Sequence, residues 1–195
     1  GSTAVDISAW WLSDDADVLD KWVFPGGTIV PAKGYLLVWA DGQNTGLHTN
    51  FKLSAAGEKL ILSNASGAEM DQFTFGEQLT DVSQGRATDG TGIWGFFTKP
   101  TPGASNMTSP FSEDYVKPVP FFSVSGGFFA SPVTVNIQNL SGSGSVYYST
   151  DGSVPTAASP VFTQPQTFSA NTVVKARIIV PNRIPGPVLT NTYFI

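Results

Sequence analysis

Short runs of β-favouring residues, separated by Gly, Pro, Asn and Asp, recur about every ten residues along this chain. No segment keeps apolar residues at helical spacing for long enough to build a helix. We therefore predict an all-β protein made of sandwiches. The predicted strands are residues 5–12, 22–24, 35–40, 59–63, 69–75 and 82–86, followed by residues 133–138, 145–149, 161–163, 172–179 and 188–194.

The length of the chain predicts two modules. At 195 residues it is long for one sandwich, and a module of roughly 100 residues buries enough surface to fold alone. The segment 104–120 is rich in proline and shows no periodicity, which is typical of a junction. We predict a first module over residues 1–106, a linker over residues 107–120 and a second module over residues 121–195.

Two runs make specific predictions within the first module. Residues 35–40, Tyr-Leu-Leu-Val-Trp-Ala, are all apolar, which predicts a central strand that is covered on both faces of its sheet. In the run 5–12 the alternation changes parity at Ser8-Ala9. A bulge there would turn Trp10 and Leu12 inward and leave Trp11 outward.

Composition narrows the class of protein. Charged residues are 13% of the chain, about half the share usual in soluble domains, and the sequence pI is about 4.6. Nucleic-acid binding requires clustered Lys and Arg, which this acidic chain does not offer. The chain contains no cysteine, which excludes disulfides and thiolate metal sites. Ser, Thr, Asn and Gly fill the expected surface instead, which favours an extracellular or cell-surface location.

The chain is expected to be a piece of something longer. Gly1-Ser2 is typical of a cloning remnant, and no apolar run approaches the roughly 20 residues of a membrane span. The expected partners are therefore other domains of a larger parent protein.

Several ordered motifs mark the first half. They are Val5-Asp6-Ile7-Ser8-Ala9-Trp10, Leu12-Ser13-Asp14-Asp15, Trp22-Val23-Phe24-Pro25 with Pro31, Gly34-Tyr35-Leu36, residues 47–54 with Gly57-Glu58, Ser83-Gln84-Gly85-Arg86, and Thr101-Pro102-Gly103-Ala104-Ser105-Asn106. In this order and spacing they resemble the bacterial lamin tail domain, which implies an immunoglobulin-like sandwich. That family usually opens with an additional pair of strands, absent here before Val5. Without this pair, the first sandwich is expected to be closed by other strands, completed by the second module, or paired with a second copy of the chain.

The second half carries its own set of motifs. They are Gly127-Phe128-Phe129, Val133-Thr134-Val135, residues 146–156 and residues 172–177. Together they resemble the chitobiase and β-hexosaminidase C-terminal-type module, which implies a fibronectin type III-like or immunoglobulin-like β-sandwich. Within them, Thr150-Asp151-Gly152 predicts a tight turn, with Asp bonding its own backbone and Gly at positive φ.

Catalysis is not predicted. His48 is the only histidine, so histidine triads and two-histidine metal sites are excluded by count, and we interpret it as a loop clasp that bonds to backbone groups. The run from Gly90 to Gly95 matches the dinucleotide fingerprint, but no helix is predicted after it. Glu69 and Asp71 share one strand without a predicted cleft. The chain is therefore expected to be no enzyme and to use no cofactor.

Two weak binding sites are candidates. Asp14, Asp15, Asp17 and Asp20 share a predicted loop and could hold calcium, although an acidic loop is more simply solvated. Of the five tryptophans, Trp11, Trp22 and Trp94 are the candidates for exposed platforms that stack on sugar rings.

These observations favour a non-catalytic structural or interaction module, an adhesion or spacer unit of a surface or secreted protein. A carbohydrate-binding accessory module is the alternative, and self-association through the incomplete first sandwich is a third hypothesis.

Overall fold

The computed structural model describes residues 1–90 and 92–195. They divide into two compact units, Gly1–Pro110 and Phe111–Ile195. Nearly all regular structure in the described residues is strand, with one short 3-10 helix at Asn106–Thr108. The prediction of an all-β chain is confirmed.

Unit 1 contains a four-stranded antiparallel sheet and two strand pairs. Its strands are β1 (Val5–Asp6), β2 (Trp11–Ser13), β3 (Trp22–Val23), β4 (Ile29–Val30), β5 (Glu58–Ser63), β6 (Glu69–Phe75), β7 (Ser83–Arg86) and β8 (Trp94–Phe97). The sheet has the order β3-β2-β5-β6, while β1 pairs with β4 and β7 pairs with β8. The β5–β6 turn forms locally, because Asn64 Oδ1 accepts the N–H groups of Ser66 and Ala68, and Gly67 supplies a φ of +83°.

The core of unit 1 explains the break in the predicted strand 5–12. Ala9 has a φ of 60°, so the chain turns between β1 and β2. As predicted, Trp10 and Leu12 pack against the buried cluster, which consists of Ile7, Trp22, Phe24 and Phe51. The turn at Ala9 thus brings two large side chains of the same run into the core.

The prediction of a central strand at residues 35–40 is wrong. This segment is extended, but only Trp39 makes a bridge, to His48. Leu36, Val38 and Ala40 pack against the core, whereas Tyr35, Leu37 and Trp39 are exposed. The alternation is that of a strand with one covered face, and the second apolar face remains open to solvent.

Unit 2 is built on a second four-stranded sheet. Its strands are β9 (Phe111–Ser112), β10 (Phe121–Phe122), β11 (Gly127–Phe128), β12 (Val133–Val135), β13 (Ile137–Gln138), β14 (Ser145–Ser149), β15 (Gln166–Phe168), β16 (Thr172–Ile179) and β17 (Leu189–Phe194). The sheet order is β11-β17-β16-β14, with β11 parallel to β17; β10 pairs with β13, and β12 with β15. The predicted strand 161–163 is reduced to one bridge between Val161 and Tyr147.

The core of unit 2 lies under β16 and β17. Val174, Ala176 and Ile178 alternate along β16 and are fully buried, as is Tyr193 on β17. Val116, from the segment predicted as linker, belongs to the same cluster, and its N–H donates to Ile184 O at 2.9 Å. This part of the chain is therefore structured within unit 2.

The predicted turn at Thr150-Asp151-Gly152 is confirmed. Asp151 Oδ1 accepts the Ser153 N–H at 2.9 Å, and Gly152 has a φ of +81°. The hydroxyl and N–H of Ser153 bond to this carboxylate and lower the pKa of Asp151. The motif thus closes the connection after β14.

Candidate functional site

Three of the sequence motifs meet at one cleft of unit 1. The cleft has a volume of about 560 Å³ and is bordered by Tyr35, by Arg86 at the end of β7, and by Asn106. Asp89 and Trp94 also line it. Segments far apart in the sequence thus converge at this cleft, which is the candidate site.

The polar groups of the cleft bond mainly to one another. Asp89 Oδ2 accepts the Tyr35 hydroxyl and the Ser105 hydroxyl, each at 2.6 Å. These hydrogen bonds, that from Ser105 being the larger contribution, hold the pKa of Asp89 below its usual range. The bond to Asp89 in turn raises the pKa of Tyr35.

Asn106 closes the other side of the cleft. Its Nδ2 donates to Arg86 O at 2.9 Å, and its Oδ1 accepts the Thr101 hydroxyl at 2.8 Å. A Cβ at Gly85 would lie 3.0 Å from Asn106 Nδ2, so glycine in this motif allows the close approach. The two motifs therefore tie the β7–β8 hairpin to the loop that follows it.

An apolar groove adjoins the cleft. It has a volume of about 460 Å³ and is lined chiefly by Leu53, Leu60, Phe73, Phe75 and Trp94. It lies between the β5–β6 hairpin and the β7–β8 hairpin, so the sandwich interior is incompletely filled at this point.

His48 was predicted to clasp its loop by bonding to backbone, but its ring contacts the carboxylate of Asp41 instead. The backbone N–H of His48 donates to Thr45 O, and its ring Nδ1 lies 2.6 Å from Asp41 Oδ2. Desolvation acts to raise the pKa of Asp41, but the hydrogen bonds from His48 and the Gln43 N–H outweigh it and lower the pKa. Neighbouring Thr49 is fully buried, and its hydroxyl donates to Phe51 O at 2.7 Å.

The three predicted sugar-binding tryptophans are engaged within unit 1 and do not form one surface. Trp22 is only 4% exposed and meets Phe24 edge to face. Trp11 lies against Gly67, where an added Cβ would come within 2.9 Å of the indole.

Trp94 is covered on both faces of its ring. The Phe73 ring is stacked on it with centroids 3.6 Å apart, and the Arg86 guanidinium lies 4.5 Å from its centroid. Two groups this close cannot share one face, so they occupy opposite faces. The same Arg86 Nη2 donates to both carboxylate oxygens of Asp71 at 3.0 Å. Sugar stacking on these tryptophans stays a prediction.

Asp14 and Asp15, two of the four aspartates proposed for calcium, have carboxylate contacts of their own. Asp14 pairs with Lys21 at 2.5 Å, and Asp15 Oδ1 accepts the Asp17 N–H at 2.9 Å. In the part of the chain that the structure describes, no group of three or more His, Cys, Asp or Glu side chains is placed to hold a metal ion. Calcium binding also stays a prediction.

Two aromatic residues were missed as surface features by sequence reasoning. Trp39 is 53% exposed and stacks on His48, and Tyr35 is 40% exposed. Pro31, Lys33 and Gly34 just before them were a usable signal, because proline and lysine are typical of sheet edges.

The dinucleotide fingerprint is not followed by a helix. Of its residues, Thr91 lies outside the described part, and β8 begins at Trp94. A phosphate site of this kind requires a helix N-terminus after the glycines.

The two compact all-β units define a tandem of β-sandwich modules. Residues 1–77 match the family model described as Lamin Tail Domain, and residues 124–190 match that of the Chitobiase/beta-hexosaminidase C-terminal domain. Both resemblances are confirmed in the predicted order, and the two modules are immunoglobulin-like. No curated protein and no solved structure matches the chain significantly.

These families set a coarse functional class. They are non-catalytic immunoglobulin-like or fibronectin type III-like modules, although the second takes its name from an enzyme. Domains of this type typically act as structural or interaction modules within larger proteins. None of the helical structure described here is long and apolar enough for a membrane crossing.

Proposed function

We propose that this chain is a non-catalytic adhesion or spacer unit of a larger extracellular protein. The observation that carries the proposal is the use made of the motif side chains. Thr49, Asn106, Asp151 and Arg177 all bond to backbone groups of their own unit. If these side chains served to bind a ligand, their polar groups would point toward solvent or a pocket instead.

Arg177 illustrates this use in unit 2. Its Nε and Nη2 donate to Gly186 O at 2.9 and 2.7 Å, and Nη2 also donates to Pro185 O at 3.1 Å. Burial lowers the pKa of this guanidinium, as expected for a group that leaves water. The planar guanidinium of Arg177 thus holds the loop before β17 in place, which is a structural role.

Composition and family support an extracellular location. The weakly charged surface, rich in Ser, Thr, Asn and Gly, suits a secreted or surface protein, and bacterial immunoglobulin-like domains are often extracellular. Protease treatment of intact producing cells tests this location. Peptides of this chain should be released, and release only after lysis would contradict the proposal.

The structural role of the motifs is tested with Asn106→Ala. This change removes two hydrogen bonds and leaves Arg86 O without its partner amide, so we expect unfolding free energy to fall by about 1–3 kcal/mol. Gln72→Ala, at an exposed position of β6, is the control and should change it by less than about 0.5 kcal/mol. Denaturant titration measures both.

A glycan array of the wild-type chain and of tryptophan variants distinguishes this role from the alternative, a carbohydrate-binding module. The adhesion or spacer role predicts no polysaccharide binding that depends on Trp11 or Trp94. Glycan binding that is lost in Trp11→Ala or Trp94→Ala without loss of stability would contradict this role. In the denaturant titration, an Asn106→Ala protein of unchanged stability would also contradict it.

A further inference from the structure

Two glutamine side chains lie in the wall of the apolar groove of unit 1. Gln84 and Arg86 are two residues apart on β7, so their side chains lie on the same face of the β7–β8 hairpin, with Trp94 opposite Arg86. Gln78 lies in the connection between β6 and β7, and its backbone N–H donates to Ala55 O at 2.8 Å. Both glutamines line the groove. A polar group beside apolar surroundings needs a hydrogen-bond partner, so the bonds of these two amides indicate what the groove accepts.

The two glutamines bond to each other and leave one acceptor and one donor group unused. Gln78 Nε2 donates to Gly76 O at 2.8 Å and to Gln84 Oε1 at 3.0 Å, which uses both of its N–H groups. The carbonyl of Gly76 fixes this orientation, because only the nitrogen end of an amide can donate to it. In the part of the chain that the structure describes, Gln78 Oε1 and Gln84 Nε2 have no hydrogen-bond partner. The pair therefore offers a carbonyl oxygen and an amide NH₂ group to a ligand.

The rest of the lining forms a preformed apolar wall. Leu53, Leu60, Phe73, Phe75 and Trp94 border a volume of about 460 Å³, within the range of about 300–1,000 Å³ that is usual for ligand sites. The Phe73 ring is held in place by its stacking on Trp94. A ligand that fits this groove must combine a large apolar group with a hydrogen-bond donor and an acceptor beside it.

We propose that the groove binds an extended peptide segment of a partner protein, with one large apolar side chain inserted between Leu53, Phe73 and Phe75. A peptide unit carries one N–H donor and one C=O acceptor, which match Gln78 Oε1 and Gln84 Nε2. An acetamido sugar also carries an amide, but its ring hydroxyls need further polar partners, and the lining is otherwise mainly apolar. The peptide satisfies both the amides and the apolar wall.

This binding rests on the proposed role as an adhesion unit and specifies the chemistry of its partner. Gln84 belongs to a sequence motif, yet its side chain bonds to another side chain, unlike the motif residues that bond to backbone. Failure of the two proposals would be distinguishable, because the effect of Asn106→Ala on stability does not depend on peptide binding.

Peptide titration followed by NMR tests the proposal. The probe is a blocked pentapeptide with phenylalanine between two pairs of threonines, and the comparison peptide has alanine at the centre. We expect the phenylalanine peptide to shift the side-chain amide signals of Gln78 and Gln84. It should bind at least about tenfold more tightly than the alanine peptide, because its ring leaves water in the groove.

Gln84→Glu separates recognition from packing. The glutamate keeps an oxygen that accepts from Gln78 Nε2 but has no N–H group to donate to a peptide carbonyl. We expect it to bind the phenylalanine peptide at least about tenfold more weakly. Gln138→Glu, at an exposed position of β13 in unit 2, is the matched control with the same change of charge and should bind like wild type.

Ala55→Trp tests the location of the site. Ala55 is exposed at the border of the groove, so an indole there should fill it and abolish binding. Circular dichroism of each variant verifies its fold. Equal affinity for the two peptides, equal affinity of Gln84→Glu and Gln138→Glu, or unchanged binding to a folded Ala55→Trp would overturn the proposal. It would also be overturned if millimolar N-acetylglucosamine shifted the signals of both glutamines and the phenylalanine peptide did not.

Discussion

Single side chains in this protein show which roles a sequence reveals. The Asp151-Gly152 turn was predictable, because its hydrogen bonds join residues that are adjacent in the chain. The partner of His48 was not, since Asp41 reaches it only through the shape of the connecting loop. For the same reason Trp22 and Trp94 were expected at the surface. Trp22 is buried beside Phe24 and Trp94 is half-buried beneath Phe73, and sequence spacing does not give the positions of these two phenylalanines.

Tyr193 supports a pH prediction at this scale. Burial raises its pKa from 10.0 to about 12, and its hydroxyl donates to Val124 O at 2.8 Å. The folded state therefore favours the neutral phenol. Its contribution to stability is complete below the unfolded pKa near 10.0 and is lost as pH rises toward about 12. Denaturant titrations between these pH values should show falling stability.

Tyr193→Phe is the matched control for this effect. It should lower stability at neutral pH by about 1–2 kcal/mol, because Val124 O loses its donor. It should also remove part of the decline in stability that the wild-type chain shows in alkaline solution. An equal decline in wild type and Tyr193→Phe would show that another group causes it.

At the scale of elements, long strands were predicted well and short ones poorly. The bounds of β6, β14 and β16 agree with the predicted strands, since each is a run of five or more residues. Strands of two residues, such as β4 and β10, carry too little periodicity to be read. Residues 35–40 failed differently, because an apolar pattern on two faces does not say what covers the second face.

At the scale of the molecule, each unit has a core built only from its own residues. The buried cluster of unit 1 includes Phe51, and that of unit 2 includes Tyr193 and Ile178. Motif order predicted two modules, whereas the contribution of Val116 to unit 2 was hidden by the surrounding prolines. We therefore expect the two units to be self-contained sandwiches that fold separately.

Thermal unfolding of Ile178→Ala tests that claim most directly. Ile178 is fully buried in unit 2, so its truncation should cost that unit about 2–5 kcal/mol. All five tryptophans lie in unit 1, so their fluorescence reports on that unit alone. We expect circular dichroism to show an earlier transition while the fluorescence midpoint stays at its wild-type temperature. A fluorescence midpoint that falls together with the circular dichroism transition would contradict the account.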